Sequence, residues 1–348
     1  MMKSFRLAVC LLALAPSTRS YAQGCAGDIV ADGRVDGADL GVLLAYWGPR
    51  TTAYFSIVSD INDDGSIDGI DLGILLSAWG ACPSPAWGTV LESAPDPTIV
   101  TDPSLRAAIE SSGLPWRVRD NGTGIELLLV PAGVFQMGCT PSTGYACLPH
   151  ESPVHSVVIS TPFYLGRFEV TQSQWISRVG SNPSRFQGES ASASQPVEQV
   201  SWDDVQGFLA GSGLRLPSEA EWEFACRAGT VTAFSNGAND EASSLAVSWS
   251  VPNSGGRTHG VGLKPGNRLG FHDMHGNVWE WVNDWYGADY YASSPISNPL
   301  GPASGSHRII RGGSWKPGWI ESARSSHRWY EFPSVFYDNV GFRVARNP

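Results

Sequence analysis

Two stretches of this 348-residue chain carry oxygen side chains at spacings that suit a hard cation. The first reads Asp28-Ile-Val-Ala-Asp32-Gly33-Arg34-Val-Asp36-Gly37-Ala38-Asp39. The second follows at a period of 32 and reads Asp60-Ile-Asn62-Asp-Asp64-Gly65-Ser66-Ile-Asp68-Gly69-Ile70-Asp71. A calcium loop takes side-chain oxygens from positions 1, 3, 5, 9 and 12 and a carbonyl from position 7, and glycine at position 6 allows the sharp turn. The second copy fills every side-chain position with Asp60, Asn62, Asp64, Asp68 and Asp71, and Ser66 gives the carbonyl. The first offers Asp28, Asp32, Asp36 and Asp39 with Arg34 for the carbonyl, but Val30 cannot ligate at position 3. Calcium is expected here, with the second loop the fuller site. Nine aspartates against Arg34 and Arg50 leave residues 25–82 at a net −7, which repels itself unless a cation is bound.

A second constellation lies at Gly270–Trp281, GFHDMHGNVWEW, with later echoes at Arg311–Trp315 (RGGSW) and Gly341–Val344 (GFRV). Glycine permits positive φ and close backbone approach, while each Trp brings a large apolar body with one N–H to satisfy. Such a mixture builds tight irregular loops. His272 and His275 have no thiol or third histidine nearby, so they are not expected to hold a transition metal. His150 and His155 belong to no recognisable constellation.

Each acidic loop is followed by one helical face: Leu40, Leu43, Leu44, Trp47 and Leu72, Leu75, Leu76, Trp79. Gly48 and Gly80 are natural helix stops. Residues 83–103 are rich in Pro, Ser and Asp and read as a linker, with a short helix at Ser104–Ser112 ended by Gly113. Trp116–Asp120 and Ile125–Val130 flank Asn121-Gly122-Thr123-Gly124, a hairpin pattern, and Val154–Ile159 reads as another strand. Three further helices are announced by their caps: Thr171, Ser201 with Asp204, and Ser218 with Glu221. The last third has no sustained period, and arginines 311, 324, 328 and 343 are expected to tie its loops together.

The GFHDMHGNVWEW segment resembles the signature of the formylglycine-generating-enzyme (sulfatase-modifying-factor) family. The likeness returns at VPAGVFQMG (130–138), PFYLGRFEVTQSQW (162–175), QPVEQVSWDDV (195–205), LRLPSEAEWEFACRAG (214–229), RGGSW and GFRV. It implies an α+β, loop-rich domain of the C-type-lectin-like fold over residues 114–348. It further implies a calcium ion held by Asp273 and Glu280 with the carbonyls of Gly276 and Val278, and a groove that includes Trp279 and Ser314; Trp315, Arg324 and Arg328, near Ser314 in sequence, are expected in the same groove. Family oxidases place two cysteines shortly after the GGS motif, where they bind copper(I) as thiolates and activate oxygen. Here Lys316-Pro317-Gly318-Trp319-Ile320-Glu321 follows, and no cysteine occurs after Cys226. Copper is therefore not expected, because soft thiolates are what copper(I) selects. Residues 23–82 resemble a dockerin module, a small all-α EF-hand pair. In dockerins, loop positions 10 and 11 help to select the cohesin; Gly37-Ala38 and Gly69-Ile70 are small or apolar, which favours a calcium-stabilised attachment module over ordinary cohesin binding.

Residues 1–22 read as a secretory signal peptide: Lys3 and Arg6, the apolar Leu7–Ala15, and Ser20-Tyr21-Ala22 at the cleavage site. That apolar run is too short to span a bilayer. Its removal takes away three cations and moves the net charge from −10 to −13, which argues against nucleic acid or an anionic membrane as partner. Export permits disulfides; the expected pairs are Cys25–Cys82, bracketing the small module, and Cys139–Cys147, closing one loop, with Cys226 free and buried in a helix. Residues 83–113 then form a linker and short helix. The function expected is an exported, calcium-binding ligand module for a peptide, protein or glycan, periplasmic, cell-surface or extracellular. The alternatives are a formylglycine-generating oxidase of divergent mechanism and an attachment protein acting through the dockerin-like pair.

Overall fold

The computed structural model describes residues 27–30, 34–53, 56, 59–62, 64–81, 85–140, 144–188, 192–316 and 320–348. The expected signal peptide, Asp32 and the Cys25–Cys82 pair lie outside them.

In the small module each loop leads into one helix, α1 (Gly37–Ala45) and α2 (Gly69–Ser77). Asp36 and Asp68 cap them, and Asp39 and Asp71 close the reciprocal half of each capping box. Two short antiparallel ladders join the halves: β1 (Arg34–Val35) pairs with β4 (Gly80–Ala81), and β2 (Gly48–Pro49) with β3 (Ser66–Ile67). Ile29, Val35, Leu43, Ile61, Ile67 and Leu75 form the core. The expected helical face divides. Leu43 and Leu75 are buried, but Leu44, Trp47, Leu76 and Trp79 are 52, 49, 50 and 49 % exposed. Trp47 and Trp79 lie past the ends of the two nine-residue helices.

The large domain is α+β, as expected. Its five-stranded sheet runs in the order β17 (Ala345–Arg346), β10 (Phe163–Gly166), β7 (Glu126–Val130), β6 (Arg117–Asp120), β5 (Gly88–Glu92). The hairpin pairs Val118 with Leu127. β5 corrects the linker reading of residues 83–103: it pairs with β6, and Glu92 meets Arg117 at 2.5 Å. Its composition misled because an edge strand tolerates polar residues on its open side. A second sheet has the order β15 (Arg328–Glu331), β14 (Arg308–Arg311), β13 (Trp279–Trp285), β16 (Val340–Phe342). A separate hairpin joins β8 (Gly133–Met137) to β9 (His155–Ile159).

The short helix forms at α3 (Pro103–Glu110). The three cap-predicted helices are α4 (Gln172–Val179), α5 (Trp202–Leu209) and α6 (Glu219–Arg227), each with its capping box closed. α6 is the hub beneath the second sheet. Trp222, Ala225 and Cys226 are buried on it, and its carboxylates reach the arginines of the loops. Glu219 pairs with Arg328 at 2.7 Å, and Glu223 with both Arg227 and Arg311. A buried charge is tolerable only when paired and hydrogen-bonded, so these pairs fix where the loops lie.

Candidate functional site

One cavity of about 680 Å³ opens over the face of the second sheet. Its floor comes from neighbouring strands, with Trp279 beside Val340 and Ile310 beside Trp329. Trp329 and Glu331, two apart on β15, point to the same side. Ser314 follows two glycines at φ +95° and +75°, Gly312 and Gly313. A Cβ on Gly313 would stand 2.9 Å from the Ala323 backbone, so this turn requires glycine. The Ser314 hydroxyl accepts from Asn339 Nδ2 at 3.0 Å. Lys316, Glu321, Tyr337, Ala146 and Leu148 complete the rim.

Of the five groove residues expected from sequence, Trp279, Ser314 and Arg324 reach this cavity. Trp315 does not line it; its ring packs against Phe186 and its Nε1–H donates to the Asp338 carbonyl at 3.0 Å. Arg328 is fully buried against Glu219, because the strand's alternation turns it away from its neighbour Trp329. Arg324 is structural as well as lining: it grips Glu151 at 2.9 and 3.1 Å. His327, Trp329, Glu331, Tyr337 and Asn339 were missed. The alternation Trp329–Glu331 was the one local clue, and it needed β15 to be known first.

Asp273 adopts φ +57°, a left-handed conformation for a non-glycine residue. Its Oδ2 accepts from the Gly262 N–H at 2.7 Å, while Oδ1 is buried with no partner. Glu280 is engaged differently from the expectation. Arg343 grips both its oxygens at 2.6 Å, and Trp222 Nε1 donates to it at 2.6 Å. Gly276 is pinned through its N–H to the Gly312 carbonyl at 2.7 Å. Sequence inspection missed Glu169, which accepts from the Val278 N–H at 3.1 Å and from Asn277 Nδ2 at 2.6 Å. Burial, with Asp273 and Glu280 as like-charged neighbours, pushes Glu169 well above the carboxylate range. Burial likewise raises Asp273 to about 6. Three buried carboxylates thus face one arginine, an excess of negative charge that a divalent cation or protons would neutralise. The orphaned Asp273 Oδ1 fits such a cation, and Glu280 fits it less well because Arg343 already holds it.

In the second acidic loop Asp60 Oδ2 meets Arg50 at 3.1 Å and accepts from the Gly65 N–H at 3.0 Å. Gly65 has φ +93°, as position 6 requires. Asp64 accepts from the Ser66 N–H at 3.0 Å, Asp68 from Ile70 at 2.8 Å and Asp71 from Ile61 at 2.6 Å. Asn62 donates to Asp64 at 2.8 Å. In the first loop Asp39 accepts from Ile29 at 2.6 Å and Asp36 caps Ala38 at 2.8 Å.

His275 is buried and hydrogen-bonded to Ala323 and Ser235, and burial lowers it to about 4. Cys226 is free and buried, and burial pushes its thiol up to about 12, which makes it inert. Cys139 and Cys147 form a disulfide, with Cα atoms 5.5 Å apart.

Residues 116–348 match the family model described as the sulfatase-modifying factor enzyme 1-like domain. The chain belongs to that family. Residues 26–77 match the dockerin type I domain. A formylglycine-generating enzyme of Streptomyces coelicolor is 28 % identical over 310 residues, covering 71 % of this chain and 96 % of that protein. A serine/threonine-protein kinase, pkn1 of Chlamydia pneumoniae, is 33 % identical over 247 residues, covering 64 % of this chain and 38 % of the relative. The match therefore spans well under half of that kinase. Among solved structures, Treponema denticola variable protein 1 superposes with a TM-score of 0.56 at 30 % identity, covering 64 % of this chain and 95 % of that one. No described helix is long and apolar enough to cross a membrane.

Proposed function

We propose that this sulfatase-modifying-factor domain is a ligand-binding module of an exported protein, holding a peptide or glycan in the cavity over the second sheet. One observation carries the proposal. The cavity is walled by Trp279, Trp329 and Tyr337, while residues 227–348 contain no cysteine to hold copper(I). Flat aromatic side chains bind both peptide and sugar faces at low entropic cost, and Ser314, Asn339 and Glu331 offer hydrogen bonds around them. Calcium is held in the second acidic loop by Asp60, Asn62, Asp64, Asp68 and Asp71, and in the large domain by Asp273 beside Glu169. The ion supplies positive charge and rigidity there, and takes no part in group transfer.

Titration calorimetry of the full chain against a sulfatase-type CxPxR peptide and a glycan panel tests the proposal. Binding that weakens by about tenfold or more in Trp329→Ala is expected, since an aromatic anchor in a cavity contributes on the order of 1–3 kcal/mol. Conversion of the peptide's cysteine to formylglycine in copper(I) and oxygen, followed by mass, would overturn it in favour of the oxidase. A second role is favoured by the exposed Leu44, Trp47, Leu76 and Trp79: attachment of the chain to a partner through the dockerin module.

A further inference from the structure

Beside the cavity lies a redox group that the binding role leaves unused. Cys147 stands between Ala146 and Leu148, both of which line the cavity. Its disulfide partner, Cys139, is buried. Arg324, a third lining residue, donates from Nη1 to Cys139 Sγ at 3.2 Å. The same guanidinium is fixed by Glu151 at 2.9 Å, and its Nη1 also donates to Ser326 at 2.9 Å, so its direction is set by the core. Among the described residues no donor reaches Cys147 Sγ. The two sulfurs are therefore unlike: Cys147 is half-buried between two lining residues, and Cys139 is covered and hydrogen-bonded to a cation.

We propose that Cys139–Cys147 is a thiol-exchange site for a cysteine-bearing peptide lodged in the cavity. A ligand thiolate attacks Cys147 Sγ, on the less buried of the two cysteines. The ligand–Cys147 disulfide forms, the Cys139–Cys147 bond breaks, and Cys139 leaves with the electron pair as a thiolate. A second ligand thiolate then attacks the ligand sulfur of the mixed disulfide and releases Cys147 as a thiolate. The ligand pair is oxidised to a disulfide and the protein is reduced to a dithiol by the same two electrons. No other reactant enters the exchange, and a low-molecular-weight disulfide returns the protein to its starting state.

Direction follows from the better leaving group, which is the sulfur whose thiolate is more stabilised. Glu151 lies within 4.8 Å of both sulfurs and opposes thiolate formation at each. It is paired with Arg324, so the pair is neutral as a whole. The N–H···S hydrogen bond, received by Cys139 alone, then decides between them.

The inference rests on the proposed binding role only for the carrier of the thiol. Its test uses the folded full chain with two probes, glutathione and the CxPxR peptide, each quenched with iodoacetamide and mapped by mass. Adducts on Cys147 with carbamidomethyl on Cys139 are expected, forming about tenfold faster than exchange with the same disulfide in a short unfolded peptide. Full-chain Cys139→Ser, with its Cys147 thiol left free, should take up one glutathionyl group from oxidised glutathione at that residue. The wild-type map stands if this variant fails to fold. A disulfide that resists both thiols until denaturant is added, or adducts that land on Cys139, would overturn the proposal. A separate outcome strikes the binding role alone. If the peptide reacts no faster than glutathione and a serine version of it in excess does not compete, the thiol site stands and the cavity ligand does not.

Discussion

Glu198 is the residue whose charge state most directly reports on the fold near the cavity. It is buried, Oε1 accepts from the Phe186 N–H at 2.9 Å, and Oε2 has no partner. Burial raises it to about 7, against 4.5 for an ordinary glutamate. The folded state thus favours the protonated acid. That contribution to stability is fully present below pH 4.5 and is lost as the pH rises through about 7. Chemical denaturation between those limits should show stability falling with pH, and Glu198→Gln should flatten the fall. An unchanged slope in the variant would assign it to other groups. Asp273→Asn belongs to the same scale. By equilibrium dialysis it should remove one calcium ion per chain, because the orphaned Oδ1 disappears as an anionic ligand; an unchanged count would place the ion elsewhere.

At the scale of the element, the helix starts were the most legible feature of the sequence. Ser218 accepts from the Glu221 N–H at 3.2 Å, and Glu221 Oε2 accepts from the Ser218 N–H at 2.8 Å. Ser218→Ala should cost about 1 kcal/mol in denaturant unfolding, and a loss near zero would mean that burial of Trp222 alone starts α6. Such caps are legible because both partners lie within four residues. Glu169 was illegible for the opposite reason: its partners, Asn277 and Val278, lie 108 and 109 positions away. Nearness in sequence to Ser314 misleads for Arg328, because it does not carry over into space. The pleat of β15 separates it from the cavity, and only Glu219 on α6 reveals where it points. β5 was hidden by the prolines and serines that flank it, since its pairing with β6 uses backbone groups that composition does not report.

At the scale of the molecule, the small module is expected to depend on a bound cation more than the large domain does. Its core is six buried side chains, and the sequence of residues 25–82 holds nine aspartates, a case where a metal is expected to make up for missing core. Chelation should lower the helical circular dichroism of the full chain, with recovery in calcium and less in magnesium. Asp60→Ala should weaken calcium binding more than Asp28→Ala; equal losses would mean that Val30 at position 3 is immaterial. The large domain is held in another way. The first and last strands of its five-stranded sheet, β5 and β17, are the two edges, and β17 also receives the Arg215 bridge. A ribosome must therefore deliver residue 346 before β10 gains its second neighbour. Until then β10 stands as the edge in place of β17 and Arg215 lacks its bridge partner, so removal of residues 345 and 346 should lower stability in denaturant unfolding.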